Sequence, residues 1–69
     1  MPHIQISIRE GRSEEVVRRL IHGVSAATVE ALGVRPESVQ VIVTEVPDRH
    51  WARGDVTLAE KYAESGDRP

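Results

Sequence analysis

Two alternating apolar runs, separated by a single helix-length connection, constrain this chain more than any other feature. Ile4, Ile6 and Ile8 alternate with Gln5, Ser7 and Arg9. That period of two puts three isoleucines on one face of a strand over 3–9. Val39, Val41 and Val43 alternate with Gln40, Ile42 and Thr44, which predicts a second strand over 39–45. Between them, Val16, Leu20, Val24, Ala27 and Ala31 recur at helical spacing, and Val17, Ile21 and Leu32 widen the stripe. The spacing predicts a helix over 14–32. Ser13 is its expected N-cap, Glu14 and Glu15 suit the positive end of its dipole, and Gly33 is its expected C-cap residue. A full capping box is excluded because Val16 holds the third helical position. Strand, helix and strand in this order form a βαβ unit, with parallel strands and a right-handed helical crossover. The fold class is therefore α/β (α+β).

Size sharpens this reading. The 69 residues form one domain, 1–69. One helix covers only one face of a two-stranded sheet, and an isolated strand pair is marginal in water. Chains this short lean on disulfides, a metal or partner subunits. Cysteine is absent, which removes disulfides and thiolate metal sites and leaves self-association as the source of extra burial. Ile42, on the otherwise polar face of the second strand, points the same way. Pro36-Glu37-Ser38 opens with a proline suited to a short helical turn. Residues 46–55 read as a polar loop around Trp51, followed by a short strand at about 56–59 or a hairpin, a helical turn from Glu60 to Glu64, and a frayed tail over 65–69.

Charge excludes several classes. Nine basic against eleven acidic residues give a formal net charge of −2, unlike a non-specific nucleic-acid binder. No apolar stretch is long enough to span a bilayer, and no basic start precedes an apolar run. The expectation is a cytoplasmic protein with neither nucleic-acid nor membrane partners. His3, His22 and His50 are isolated, without His-x-x-x-His or another metal spacing, so no metal is expected. The single glycine of Glu10-Gly11-Arg12 does not make a phosphate cradle.

Pro2 either merely begins a strand or is a candidate for chemistry. Initiator methionine is normally removed before a small residue, and removal of Met1 exposes a prolyl secondary amine. A terminal amine has a pKa near 8, and an apolar pocket or a nearby cation lowers it. Such an amine is a neutral, rigidly held base at pH 7. With Met1 in place the same nitrogen is in a peptide bond, and Pro2 merely begins a strand.

Met1-Pro2-His3-Ile4-Gln5-Ile6, the Glu10-Gly11-Arg12-Ser13 turn and the Ser38-Val39-Gln40-Val41-Ile42-Val43-Thr44-Glu45 strand resemble the 4-oxalocrotonate tautomerase family. The resemblance runs from Pro2 to about Asp55. It implies a β-α-β protomer that pairs into a dimer with a four-stranded sheet. Three dimers would form a hexamer, either homomeric or a heterohexamer of two alternating chains. It also implies cofactor-free enol–keto isomerisation of a small anionic organic acid such as 2-hydroxymuconate, of the kind met in aromatic hydrocarbon catabolism. Pro2 matches the family's proton-shuttling proline, and Arg12 matches its carboxylate-binding arginine. Trp51 falls where an aromatic from a neighbouring chain walls the pocket.

Two departures stand out. Gln40 occupies the position of a second arginine that binds the far end of the substrate, and glutamine offers no charge and no bidentate fork. Arg9 stands where the namesake enzymes have an apolar residue, three positions before Arg12. An arginine pair of this kind resembles the α chain of trans-3-chloroacrylic acid dehalogenase. Arg9 is expected either to supply the charge missing at Gln40 or to form an edge or interface ion pair. The water-activating glutamate of that dehalogenase corresponds to Arg53, which counts against hydration chemistry by this chain alone. Arg53 and Arg49 bracket Trp51 and either raise the positive potential at the pocket mouth or belong to a solvated loop. The alternatives to a tautomerase are a hydratase-like subunit of a heterohexamer, a structural subunit with an idle Pro2, and a non-catalytic ligand-binding module.

Overall fold

A computed structural model describes residues 1–65. Strand β1 (His3–Arg9) leads into helix α1 (Glu14–Leu32), a short 3-10 turn (Pro36–Ser38) and strand β2 (Gln40–Val46). A second 3-10 turn (Asp48–His50) follows, then β3 (Ala52–Arg53), β4 (Val56–Thr57) and helix α2 (Leu58–Ser65). β1 and β2 pair in parallel, from His3 opposite Gln40 to Arg9 opposite Val46. β3 and β4 form a separate antiparallel hairpin. The chain is thus an α/β unit of β-α-β type with a C-terminal hairpin and helix.

Local chemistry sets the helix ends. The Ser13 hydroxyl accepts from the Val16 amide at 3.2 Å, a cap that contributes about 1 kcal/mol. At the other end Gly33 adopts a left-handed φ of 65°, and its amide donates to the Val29 carbonyl at 2.9 Å, the chain reversal glycine allows at no steric cost. The register sets Ile4 beside Val41 and Ile6 beside Val43, and these four are half-buried, as are Ile8, Arg9 and Val46 at the strand ends. The opposite face, including Gln5, Ser7, Ile42 and Thr44, is exposed, with Ile42 at 45%.

Three boundaries differ from the sequence expectation. β2 starts at Gln40 rather than 39, because the Val39 amide closes the preceding turn on the Pro36 carbonyl at 3.2 Å. The stretch 46–55 is not simply a loop. It completes β2 and holds the second 3-10 turn and β3. The expected strand at 56–59 ends at Thr57, and Leu58 and Ala59 begin α2. The cause is a capping box. The Glu60 amide donates to Thr57 Oγ1 at 3.1 Å, while the Thr57 amide donates to Glu60 Oε1 at 3.0 Å, and this reciprocal pair fixes a helix start. The expected tail at 65–69 lies outside the described residues, apart from Ser65 at the end of α2.

Among the described residues no side chain is fully buried. The exposed area is 5479 Å², against roughly 4,300 Å² for a folded monomer of this mass. The excess follows from the architecture, since one helix cannot cover both faces of a sheet. Among the described residues, no helix is long and apolar enough to cross a membrane.

Candidate active site

The residues singled out in the sequence divide between the two ends of the sheet. Pro2 lies at the N-terminal end, immediately before β1. Its carbonyl accepts from the Gln40 amide at 3.0 Å, which sets Pro2 and Gln40 side by side. The Gln40 side chain is exposed and donates from Nε2 to Met1 Sδ at 3.1 Å. Met1 is 87% exposed, so its excision would remove little packing and would free the amide group of Gln40.

Arg9, Arg12, Trp51 and Arg53 gather at the other end, where the strands finish. β1 holds seven residues, so the two groups stand roughly 20 Å apart at about 3.3 Å per residue. No single protomer brings Pro2 to Arg12. Gly11, with φ 116°, turns the chain out of β1 into a conformation that few other residues adopt. Arg12 then folds back and donates from Nη1 to the Arg9 carbonyl at 3.0 Å, leaving the rest of its guanidinium available.

A cleft of about 540 Å³ opens here, lined by Arg12, Arg53 and Lys61 with Trp51, Val56 and Leu58 among its walls. Among the described residues, no acidic side chain lines it. In a chain of net charge −2, a concave surface with these three cations, Arg9 as a fourth and an aromatic wall favours an anionic, partly apolar ligand. Arg49 instead lines a neighbouring hollow. Among the described residues, no three His, Asp or Glu side chains converge as metal ligands.

Arg9 forms an ion pair within its own chain, close to the second of the two roles expected for it. Nε and Nη2 donate to Asp48 Oδ1 and Oδ2 at 2.7 and 2.6 Å. The guanidinium carbon lies 4.7 Å from the centre of the Tyr62 ring. The hydrogen bonds to Asp48 raise the Arg9 pKa above its ordinary value despite the opposing effect of burial, with the charges of Asp48 and Tyr62 adding to the rise. Alternation correctly assigned Arg9 to the face of Gln5 and Ser7, but its fork is already filled by a carboxylate of its own chain. The sequence reading missed Lys61 and Tyr62 altogether. The Thr57-x-x-Glu60 signature was the available signal, because it starts the helix that brings both to the cleft.

Residues 2–61 match the sequence profile of a family described as tautomerase enzyme. A 2-hydroxymuconate tautomerase of Comamonas testosteroni is 40% identical over 60 residues, covering 87% of this chain and 95% of that protein. TomN, a 4-oxalocrotonate tautomerase homologue in the tomaymycin biosynthetic pathway, has a solved structure that superposes with a TM-score of 0.87 at 40% identity. The match covers 90% of this chain and 95% of that one. A heterohexamer 4-oxalocrotonate tautomerase from Chloroflexus aurantiacus gives a TM-score of 0.82 at 38% identity, over 87% of this chain and 97% of that one.

Proposed function

The chain belongs to the tautomerase family and is an isomerase, and on that footing we propose that it interconverts enol and keto forms of small unsaturated 2-hydroxy or 2-oxo acids, with 2-hydroxymuconate as the representative substrate. The observation that carries the reading is the cationic cleft around Arg12, which no acidic side chain lines among the described residues, separated by the length of β1 from Pro2. Neither half works alone. The site therefore forms where Pro2 of one protomer meets the Arg12 cleft of another. This agrees with the uncovered sheet face and the lack of fully buried side chains among the described residues. A hexamer built as a trimer of dimers supplies such junctions.

Arg12 binds the substrate carboxylate next to the reacting carbon. Neutral Pro2, freed by removal of Met1, takes the proton from the 2-hydroxyl of a dienol. Negative charge moves onto the conjugated oxygen and carboxylate as the proton leaves. Arg12 stabilises that charge, and Arg53 and Lys61 add positive potential in a cleft from which Trp51 excludes water. Protonated Pro2 then returns the proton to a distal carbon. One base serves both transfers, so no cofactor is required. Gln40, which begins β2 beside the Pro2 end of β1, offers an amide to the far end of the substrate without the charge of an arginine.

A second reading has a specific motive. The Chloroflexus aurantiacus neighbour is a heterohexamer, and Gln40 leaves a charge that a companion chain could provide. In that reading this chain is one subunit of a mixed assembly. Ultraviolet kinetics of 2-hydroxymuconate ketonisation, on protein whose intact mass lacks Met1, separates the two. Turnover by the purified chain supports the homomeric enzyme. Absence of turnover in a stable hexamer rejects it in favour of the mixed assembly or a different acid.

A further inference from the structure

The tautomerase reading leaves Arg9 without a task, and the structure gives it one. We infer that Arg9 is a positioning residue: with Asp48 and Tyr62 it clamps the segment that carries Trp51 and Arg53 against the end of the sheet, and it does not bind the substrate carboxylate. The inference rests on the proposed reaction only for its kinetic consequence, since the clamp itself is a matter of geometry.

The contacts close into a ring that runs through Trp51. Arg9 is the last residue of β1. Its fork holds Asp48, the first residue of the 3-10 turn whose end is Trp51. The Trp51 amide donates to the Asp48 carbonyl at 3.4 Å, and the Trp51 carbonyl accepts from the Leu58 amide at 2.8 Å. Leu58 opens α2, and one turn further on Tyr62 stacks on Arg9. The Arg9 guanidinium thus ties the strand end to the turn and to the helix, and the Leu58–Trp51 bond links the helix start back to the turn. The side chains of Arg9 and Asp48 are 22% and 24% exposed, so solvent weakens this pair less than a fully exposed one. No fully buried side chain is available among the described residues to hold the segment instead.

The same geometry withdraws Arg9 from substrate. One edge of the guanidinium is used by a bidentate carboxylate, one face lies on Tyr62, and the charge of the pair cancels. Arg9 and Tyr62 also line both the cleft of Trp51 and the neighbouring hollow around Asp48, so they form the partition between the two. Lysine cannot reproduce this arrangement, because an ammonium has neither the planar fork nor the flat face.

The test uses the full-length protein and its sole tryptophan, Trp51, as a local reporter. Arg9→Gln, Asp48→Asn and the double variant are compared by acrylamide quenching of Trp51 and by steady-state kinetics with 2-hydroxymuconate. A clamp predicts that both single variants raise Trp51 quenching alike. It also predicts that both lower kcat/KM by about tenfold to a hundredfold, as expected for a misplaced wall, and that the double variant is no worse than either. Arg9→Lys fails to restore the parent quenching. The inference is overturned if Arg9→Gln raises KM with quenching unchanged while Asp48→Asn, which releases the fork, leaves KM the same or lower. Should Arg9→Gln not assemble, Tyr62→Leu takes its place. Matching Asp48→Asn in quenching supports the clamp, and parent-like quenching rejects it. A parent protein without turnover would remove the homomeric 2-hydroxymuconate reading in favour of a mixed assembly or a different acid, yet the quenching comparison would still decide the clamp.

Discussion

Replacing Pro2 by alanine lowers kcat/KM for 2-hydroxymuconate by about a hundredfold or more, within the range of a lost general base. The variant is informative because alanine is small enough for Met1 still to be removed. A terminal amine therefore remains, with an ordinary pKa near 8. What is lost is the ring, which makes the amine secondary and fixes the backbone angle that aims it. The carbonyl of residue 2 still accepts from the Gln40 amide, so the strand pairing and the assembly should persist. Retention of Met1 has a larger effect, because the nitrogen then carries a peptide carbonyl and has no basic lone pair. A preparation with Met1 intact by mass is expected to show no turnover above background. Parent-like rates in either preparation would remove Pro2 from the mechanism.

Arg12→Ala has the second large effect, a loss of about a hundredfold to a thousandfold in kcat. Arg12 spends one nitrogen on the Arg9 carbonyl and keeps the others for a ligand. Among the described residues its cleft has no acidic side chain, although Arg12 also borders a hollow with Glu14, Glu15 and Glu45. Because charge grows on the substrate during proton transfer, the interaction is stronger in the transition state than in the ground state. The loss should therefore appear in kcat and not in KM alone. Arg12→Lys restores part of the rate, since lysine keeps the charge and loses the fork. Unchanged kcat with raised KM would make Arg12 a binding residue only.

The legibility of this molecule in its sequence falls off along the chain. β1 and α1 announce themselves through Ile4, Ile6 and Ile8 and through the helical stripe from Val16 to Ala31, because a half-buried strand and an amphipathic helix each impose their own period. β2 starts one residue late because Val39 serves both the valine alternation and the turn before it, and hydropathy alone does not separate these roles. After Val46 the elements are two to eight residues long and no period develops. Their boundaries depend on single hydrogen bonds, and the pairing of Thr57 with Glu60 decides that Leu58 and Ala59 are helical. Pro2 is a candidate from the chemistry of a freed prolyl amine, but only the family resemblance singles out Arg12 and favours a catalytic Pro2. The partnership of Arg9 with Asp48 spans 39 residues, and nothing local in either segment foretells it. Alternation assigns Arg9 to a face, but only the chain's return brings the carboxylate there.

The central claim is a tautomerase site shared between protomers, and mixing two defective chains tests it most directly. Pro2→Ala and Arg12→Ala chains, each nearly inactive alone, are co-expressed with different tags, and doubly tagged hexamers are purified. If Pro2 and Arg12 meet across a subunit boundary, about a quarter of the sites in randomly mixed, symmetric assemblies combine both native residues. Ketonisation of 2-hydroxymuconate then recovers to about that fraction of the parent rate. Mixed hexamers no more active than the two parents would contradict a site built from both chains.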